Sequence, residues 1–383
     1  MKTLQSKTLL DLLTLPTAPL NEGHVVEYIR RWAAKRPSIR LSQDAVGNVV
    51  LRLRRGGKTR APLVLAAHMD HPGFEARRMC GPRRLEAAWL GWVHPDYFAD
   101  TKVRFFSEGR WIRGTIRSVK LGMIRGRRRV RTAEIDVTRP VAPGSIGMWD
   151  LPDPVVRGGK VYARGCDDVA GVAAVLDALD ALARSRSAVN VIGLLTRAEE
   201  IGFAGAIAAC RAGTIPKDAR IVAVEISSEI PGVRMGDGPV LRVGDAGSIF
   251  SPGLTAFCRL VAEDLARKSK DFKFQRKLMD GGTCESTVYY AEGYDATGLC
   301  VALGNYHNMD TQRKRIAAES IHLDDYRGLV RWFIALATTR RPYDASRGVL
   351  EAMIARLERV QAPQLRRTVE RVRERKPQRR ATG

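Results

Sequence analysis

An α/β fold, with a mixed central sheet flanked by helices and interrupted by a small inserted all-β domain, is what this sequence predicts. Three observations carry the expectation. Short apolar runs closed by turn residues alternate with segments of helical period up to about residue 75 and again from residue 158. Between them, residues 76–157 show strand-type alternation with turn residues and no helical period. With 383 residues, 45% of them hydrophobic and 27% charged, the chain can close a sizeable core and is too apolar to be wholly disordered.

The elements follow in order. Leu9, Leu10 and Leu13, then Val25, Val26, Ile29 and Trp32, recur at helical spacing, and Pro16 and Pro19 divide them into two short helices. GNVVLRLRR (47–55) alternates like a strand, and APLVLAAHMD (61–70), bounded by Pro62 and Pro72, fits a buried strand of a parallel or mixed sheet. In the insert, KVRFFSEGRWIRGTIRSVKLG (102–122) and RRRVRTAEIDVT (127–138) are the clearest alternating stretches. From residue 158 a helix is expected at 169–183, with Val169, Val172, Leu176 and Leu179 on one stripe. Strands are expected at NVIGLLT (190–196), IVAVEI (221–226) and GLCVALG (298–304), with helices after Gly202 and over 323–339. The expected organisation is a main domain in two parts, 1–75 and 158–345, with the insert at 76–157. Residues 346–383 form a basic arm whose last stretch, RRTVERVRERKPQRRATG, has no apolar face and reads as a fraying or disordered end.

Charge and cysteine narrow the class. Lys+Arg number 64 and Asp+Glu 41, a formal net charge of +23. Residues 76–157 hold 17 basic and 8 acidic residues and residues 346–383 hold 11 and 4, so these two segments carry +9 and +7 of it. The basic character is thus peripheral to the rest of the chain. Six cysteines without a CxxC pair suggest reduced thiols in a cytoplasmic protein, and no apolar run of membrane-spanning length or signal-peptide pattern occurs.

Residues of metal-ligand type stand where the apolar runs end. They are His68 and Asp70 in LAAHMDHPGF, Asp167 and Asp168 in ARGCDDVAGV, Glu199 and Glu200 in LLTRAEEIGF, Glu225 in VAVEIS, and His307 in ALGNYHNMD. In an open α/β sheet, ligands bind outside the carboxyl ends of the strands. Singly, each has an ordinary explanation, as a helix cap, a solvated pair or a structural histidine. Together they would repel one another and cost several kcal/mol to bury without a cation, so their convergence points to divalent metal. Two histidines with several carboxylates suit zinc, with cobalt or manganese as alternatives, better than calcium or copper(I). His322, opening a helix, is the competitor to His307 but reads as its cap. His71 is expected as a loop histidine or a substrate contact, and Cys166 as a small packed residue.

At these residues the sequence resembles the co-catalytic dizinc metallopeptidases, most closely the glutamyl and deblocking aminopeptidases that form tetrahedral particles. The likeness covers roughly residues 5–340, including LLDLLTLPTAPLNEGHVVEYI, DAVGNVV, HMDHPGF, CDD, AEEIGFAGA, VRMGDGPVLRVGDAG and GGTCEST ahead of His307. The resemblance implies a zinc-peptidase-like fold carrying two divalent metals, one held by His68, Asp167 and Glu225, the other by Asp167, Glu200 and His307. It implies that Asp167 bridges, that Asp70 fixes the His68 tautomer, that a cis peptide precedes Asp168, and that Glu199 is the general base. The implied reaction is removal of N-terminal residues from short peptides by a water that the two cations acidify.

Two other readings accompany this one. That family usually has Asp where this chain has Glu225, while related dizinc carboxypeptidases and N-acyl amino acid amidohydrolases often have Glu. A nucleic-acid-binding protein on an inactive hydrolase scaffold would use RGRRRVR (125–131) and the basic tail. The family's inserted domain also implies a homo-oligomer, with Trp89, Trp92, Trp111 and Trp149 expected as exposed interface residues.

Overall fold

A computed structural model of the chain describes residues 7–56, 61–124 and 126–373. Its contacts group into two compact units, residues up to Thr339 and residues from Arg340 onward.

In the larger unit an eleven-stranded mixed sheet forms the frame. Its centre is four parallel strands side by side, Val189–Thr196, Leu63–His68, Arg220–Ser228 and Asp295–Gly304. These are the apolar runs of the sequence, and Leu63–His68 is buried at all six positions, as a strand covered on both faces must be. Val64, Ala66, Ile192, Leu194, Ile221 and Ala223 pack with the helices Ala204–Arg211 and Glu285–Ala291 on one face. Helix Val169–Arg184 lies on the other face and also packs against helices Lys7–Leu13 and Leu323–Thr338. That double contact buries twelve of its sixteen residues, so its buried face is wider than the stripe expected from Val169, Val172, Leu176 and Leu179. Gly193 allows the approach, since a Cβ there would lie 3.0 Å from Leu179 and 3.1 Å from Val175.

The insert is a closed six-stranded barrel, from Gly73–Gly81 to Ile146–Trp149. Two expectations change here. Val155–Arg157, placed in the insert by its position, turns at Gly158–Gly159 and pairs with Lys160–Ala163 in the large sheet. Of the four tryptophans expected at an exposed interface, Trp89 and Trp149 are interior, and Trp92 and Trp111 are half-buried. Trp89 and Trp149 are buried at 6% and 1% exposure within the cluster that includes Phe74, Phe98 and Phe105, and Trp92 packs against it. Trp111 packs against Ala18, Ile146 and Met148. A six-stranded barrel needs large side chains to fill its interior, and these aromatics supply them.

In the smaller unit, Ala345–Arg373 is a helix that contains Pro363 and enters the stretch expected as a fraying or disordered end, while residues 374–383 of the basic tail lie outside the described residues. Arg125 of the RGRRRVR stretch does so too. Among the described residues no helix is long and apolar enough to cross a membrane.

Candidate metal centre

The site is built where the parallel strands stop. Leu63–His68 presents His68 as its last residue, and pairing of Thr196 with His68 sets the Glu199–Glu200 turn beside it. Ala223 pairs with Ala66, so Glu225, two residues on, comes level with His68. Lys160–Ala163 runs antiparallel to Glu319–His322, which runs antiparallel to Asp295–Gly304. Cys166–Asp168 and His307 therefore leave the sheet by the same edge as the others.

Asp167 stands between the two histidines. Its Oδ1 lies 3.6 Å from His68 Nε2 and its Oδ2 lies 3.7 Å from His307 Nε2. Glu225 Oε1 is 3.6 Å from His68 Nε2, Glu199 Oε2 is 3.9 Å from the same atom, and Glu200 Oε1 is 3.2 Å from His307 Nε2. Three groups thus offer ligand atoms within 4.8 Å of one another: His68, Asp167 and Glu225; Asp167, Glu200 and His307; and His68, Glu199 and Glu200. Ligand atoms about 2.0–2.2 Å from a tetrahedral cation stand roughly 3.3–3.6 Å apart, which is close to the spacing of the first two groups. His68 Nε2, Asp167 Oδ1 and Glu200 Oε1 are buried with no hydrogen-bond partner. Such orphaned atoms are costly, and a cation satisfies all three.

The surrounding hydrogen bonds orient this set. His68 Nδ1 meets the Asp70 backbone carbonyl at 3.1 Å and the Asp70 carboxylate at 3.5 Å, leaving Nε2 toward Asp167. The Asp70 carboxylate has a second duty: Oδ1 accepts the Glu199 N–H at 3.0 Å and Oδ2 the Glu200 N–H at 3.1 Å. The strand ends at Thr196, Ala198 takes a left-handed φ of 55°, and the buried Glu22 accepts its N–H, so adjacent glutamates can both reach the cluster. Asp168 follows a cis peptide bond and accepts the His68 N–H at 3.2 Å. Its carboxylate lies so close to Gly171 that a Cβ there would sit 2.0 Å from Oδ1. His307 donates from Nδ1 to the Trp92 carbonyl at 2.6 Å, so the loop between barrel strands fixes its ring. His322 caps its helix by accepting the Asp324 N–H, as expected from its place.

Electrostatics record the crowding. Burial first, then the Glu225 charge, pushes the Asp167 carboxyl well above its ordinary range. Glu199 is pushed up by burial and by Glu225, Glu200 and Asp70, against the lowering influence of His68. For His68 burial opposes the charged form, yet Glu199, Asp167, Asp70 and Glu225 outweigh it and raise the imidazole well above its usual value. The cleft above has a volume of about 810 Å³, with Arg242, Ser227, Gly281, Gly282, Thr283 and Tyr306 among its walls.

Several participants were not legible in the sequence. His71 stands in the loop between Leu63–His68 and Gly73–Gly81, as expected, but its burial at 1% exposure with its ring against the backbone of Asp167 has no signal in the sequence. Glu319 is fully buried behind Asp167, and nothing in RIAAESIHL distinguishes it from a surface strand residue. Arg242, 3% exposed beside Glu225, and the Trp92 carbonyl likewise carry no local signal.

Histidines and carboxylates gathered at the carboxyl edge of an open α/β sheet, around buried atoms with no hydrogen-bond partner, are the arrangement of a metal-dependent hydrolase. The comparisons make this particular. The family model described as M42 glutamyl aminopeptidase matches residues 47–330. The chain belongs to that family and is a metal-dependent aminopeptidase, a hydrolase of peptide bonds. Among solved structures it is similar to aminopeptidase APDkam598 from the archaeon Desulfurococcus kamchatkensis, at 22% identity and a TM-score of 0.73 over 89% of this chain and 96% of that one. The TET1 peptidase of Pyrococcus horikoshii, described as assembling into a tetrahedron or a large octahedral shell, aligns at 22% identity and a TM-score of 0.69 over 86% and 98%. The TET aminopeptidase of the Thaumarchaeota archaeon SCGC AB-539-E09 aligns at 17% identity and a TM-score of 0.70 over 89% and 98%. No curated protein matches the sequence.

Proposed function

We propose that the chain is a two-cation aminopeptidase acting on short peptides, with His68, Asp167 and Glu225 holding the first cation and Asp167, Glu200 and His307 the second. One observation carries this reading: the two oxygens of Asp167 face the Nε2 atoms of different histidines, at 3.6 and 3.7 Å. Zinc is the cation favoured by this nitrogen and oxygen set, with cobalt and manganese as competitors. Two divalent cations in such a site supply charge neutralisation and the acidity that makes water a nucleophile at neutral pH.

The residues do the rest. Glu199, buried beside both groups and free of a ligand duty in this scheme, takes the proton of the attacking water and returns it to the leaving amine. Asp70 positions His68 and, through the two backbone N–H groups it accepts, the base and the ligand Glu200 together. The 810 Å³ cleft admits a short peptide and would exclude a folded chain. Cation stoichiometry tests the assignment: Asp167→Ala should lose both cations, and Glu225→Ala or His307→Ala one each. Retention of two cations by Asp167→Ala would remove it.

One observation favours the amidohydrolase alternative. A substrate with a free carboxylate needs a cation near the metals, and the buried Arg242 on the cleft wall could be that cation. For the assembly we propose a homo-oligomer, by analogy with the tetrahedral and octahedral particles of the TET1 peptidase. Its six unpaired cysteines suit a reducing compartment such as the cytoplasm.

A further inference from the structure

The bridging ligand Asp167 is held by its backbone as well as aimed by its side chain. The Glu319 carboxylate oxygen Oε2 accepts both the Cys166 N–H at 2.6 Å and the Asp167 N–H at 3.1 Å. On the other side of the same residue, His71 Nδ1 lies 2.7 Å from the Asp167 carbonyl oxygen. Side chains from two distant segments thus grip both backbone polar groups of one residue.

The grip extends to the second histidine. His71 Nε2 lies 3.1 Å from Asn308 Oδ1, and Asn308 follows His307 directly. The Asn308 amide is turned this way because its Nδ2 donates to the carbonyls of Arg164 at 2.7 Å and Ala317 at 3.1 Å. The backbone at Asn305, His307 and Asn308 is left-handed, with φ of 58°, 49° and 66°, so this loop depends on outside contacts for its shape. Gly165 leaves room for the His71 ring, since a Cβ there would lie 2.7 Å from Cγ. His71, Asn308 and Glu319 are all buried, none is a ligand or the base in the scheme above, and none touches the cleft.

We infer that His71, Asn308 and Glu319 form a clamp of positioning residues that sets the spacing of Asp167 and His307 and so the affinity of the second cation. The inference rests on the two-cation reading above. The first group keeps two ligands, His68 and Glu225, that the clamp does not touch, so the effect is selective. Indirect support of this kind changes metal affinity by about 10–100-fold in proteins generally.

The test titrates zinc into metal-stripped full-length protein against a chromogenic chelator, reading two dissociation constants. His307→Ala and Glu225→Ala identify which binding step belongs to which group. His71→Leu should weaken the step that His307→Ala removes by at least about tenfold, leave the Glu225 step within about twofold, and keep the fold by circular dichroism. His71→Asn, which returns a donor near the position of Nδ1, should recover part of the loss. Glu319→Gln, which keeps the shape and removes the charge, should weaken the same step and gives the reading should His71→Leu fail to fold. An unmoved second step, or equal weakening of both, overturns the clamp alone. Fewer than two cations in the unsubstituted protein overturns the two-cation reading and the clamp with it.

Discussion

Glu199 and Glu200 are neighbours in sequence with different fates. Glu200 reaches His307 Nε2 at 3.2 Å, while Glu199 stays 3.9 Å from His68 Nε2 on the other side of the cluster. The division depends on the turn at Ala198 and on Asp70, whose two carboxylate oxygens hold the two backbone N–H groups apart. Glu199→Gln should therefore keep its cations and lower turnover by about 10²–10⁴-fold, the usual weight of a positioned general base. Metal analysis beside kcat measures both; full activity in this variant would remove Glu199 from the chemistry. At this scale the sequence exposes the residues that converge on the cluster and hides those packed behind them. His68, Asp167, Glu199, Glu200, Glu225 and His307 are legible because acidic residues and histidines at the ends of apolar runs are unusual. Glu319 and Asn308 reach Asp167, Arg164 and His71 across 152, 144 and 237 residues of chain, contacts that no local pattern encodes.

The strand ends, taken as a set, concentrate carboxylates that do not tolerate one another. Their crowded charge works against the folded state of the metal-free protein, and the pH dependence follows from the direction of the shifts. Asp167, Asp168 and Glu199 have folded-state affinities for protons raised above the ordinary carboxylate range by burial first, and Glu285, behind them, is pushed up to about 7 by burial. Between the ordinary carboxylate value and the raised one, the folded state binds more protons than the unfolded state, so stability falls as pH rises through that window. For Glu285 that window runs from 4.5 to about 7. Divalent cations replace those protons. The Tm of the metal-free protein should accordingly fall from pH 5 to pH 7.5, and the Tm gain on adding zinc should grow over the same range; thermal scans with and without zinc measure both, and a gain that shrinks with pH would contradict the charge account. The elements themselves were largely foreseen, because Leu63–His68, Val189–Thr196, Arg220–Ser228 and Asp295–Gly304 are bounded apolar runs. Val240–Asp245 and Gln275–Met279 carry no clear strand signal, since their apolar patterns are short and mixed with Arg and Lys. The strand alternation of the barrel is plain in its sequence, whereas the burial of Trp89 and Trp149 is not, because composition does not distinguish an interior-filling aromatic from an interface one.

Over the whole molecule the charge of +23 and the chemistry separate. The site is acidic and needs cations, whereas the basic excess lies in the barrel region and the C-terminal segment. Acidic residues of the barrel are paired with some of its arginines, Arg78 with Glu86, Arg84 with Glu134 and Asp136, Arg113 with Asp150, and Arg117 with Asp136, and the net excess is what remains. Such exposed pairs add little stability. The C-terminal helix Ala345–Arg373 lies beyond the stretch that the family model matches, residues 47–330. Removing residues 346–383 should leave kcat/KM for a neutral dipeptide within about twofold, a change comparable to that of surface substitutions away from a site; a loss of tenfold or more would tie the arm to catalysis. The most direct test of the central claim uses metal-stripped protein, an aminoacyl-p-nitroanilide and an N-acyl amino acid, with zinc added stepwise. The account predicts no turnover without metal, cleavage of the aminoacyl substrate that rises to its maximum at two cations per chain, and no cleavage of the N-acyl compound. Activity in the metal-free protein, saturation at a single cation, or preference for the N-acyl substrate would contradict it.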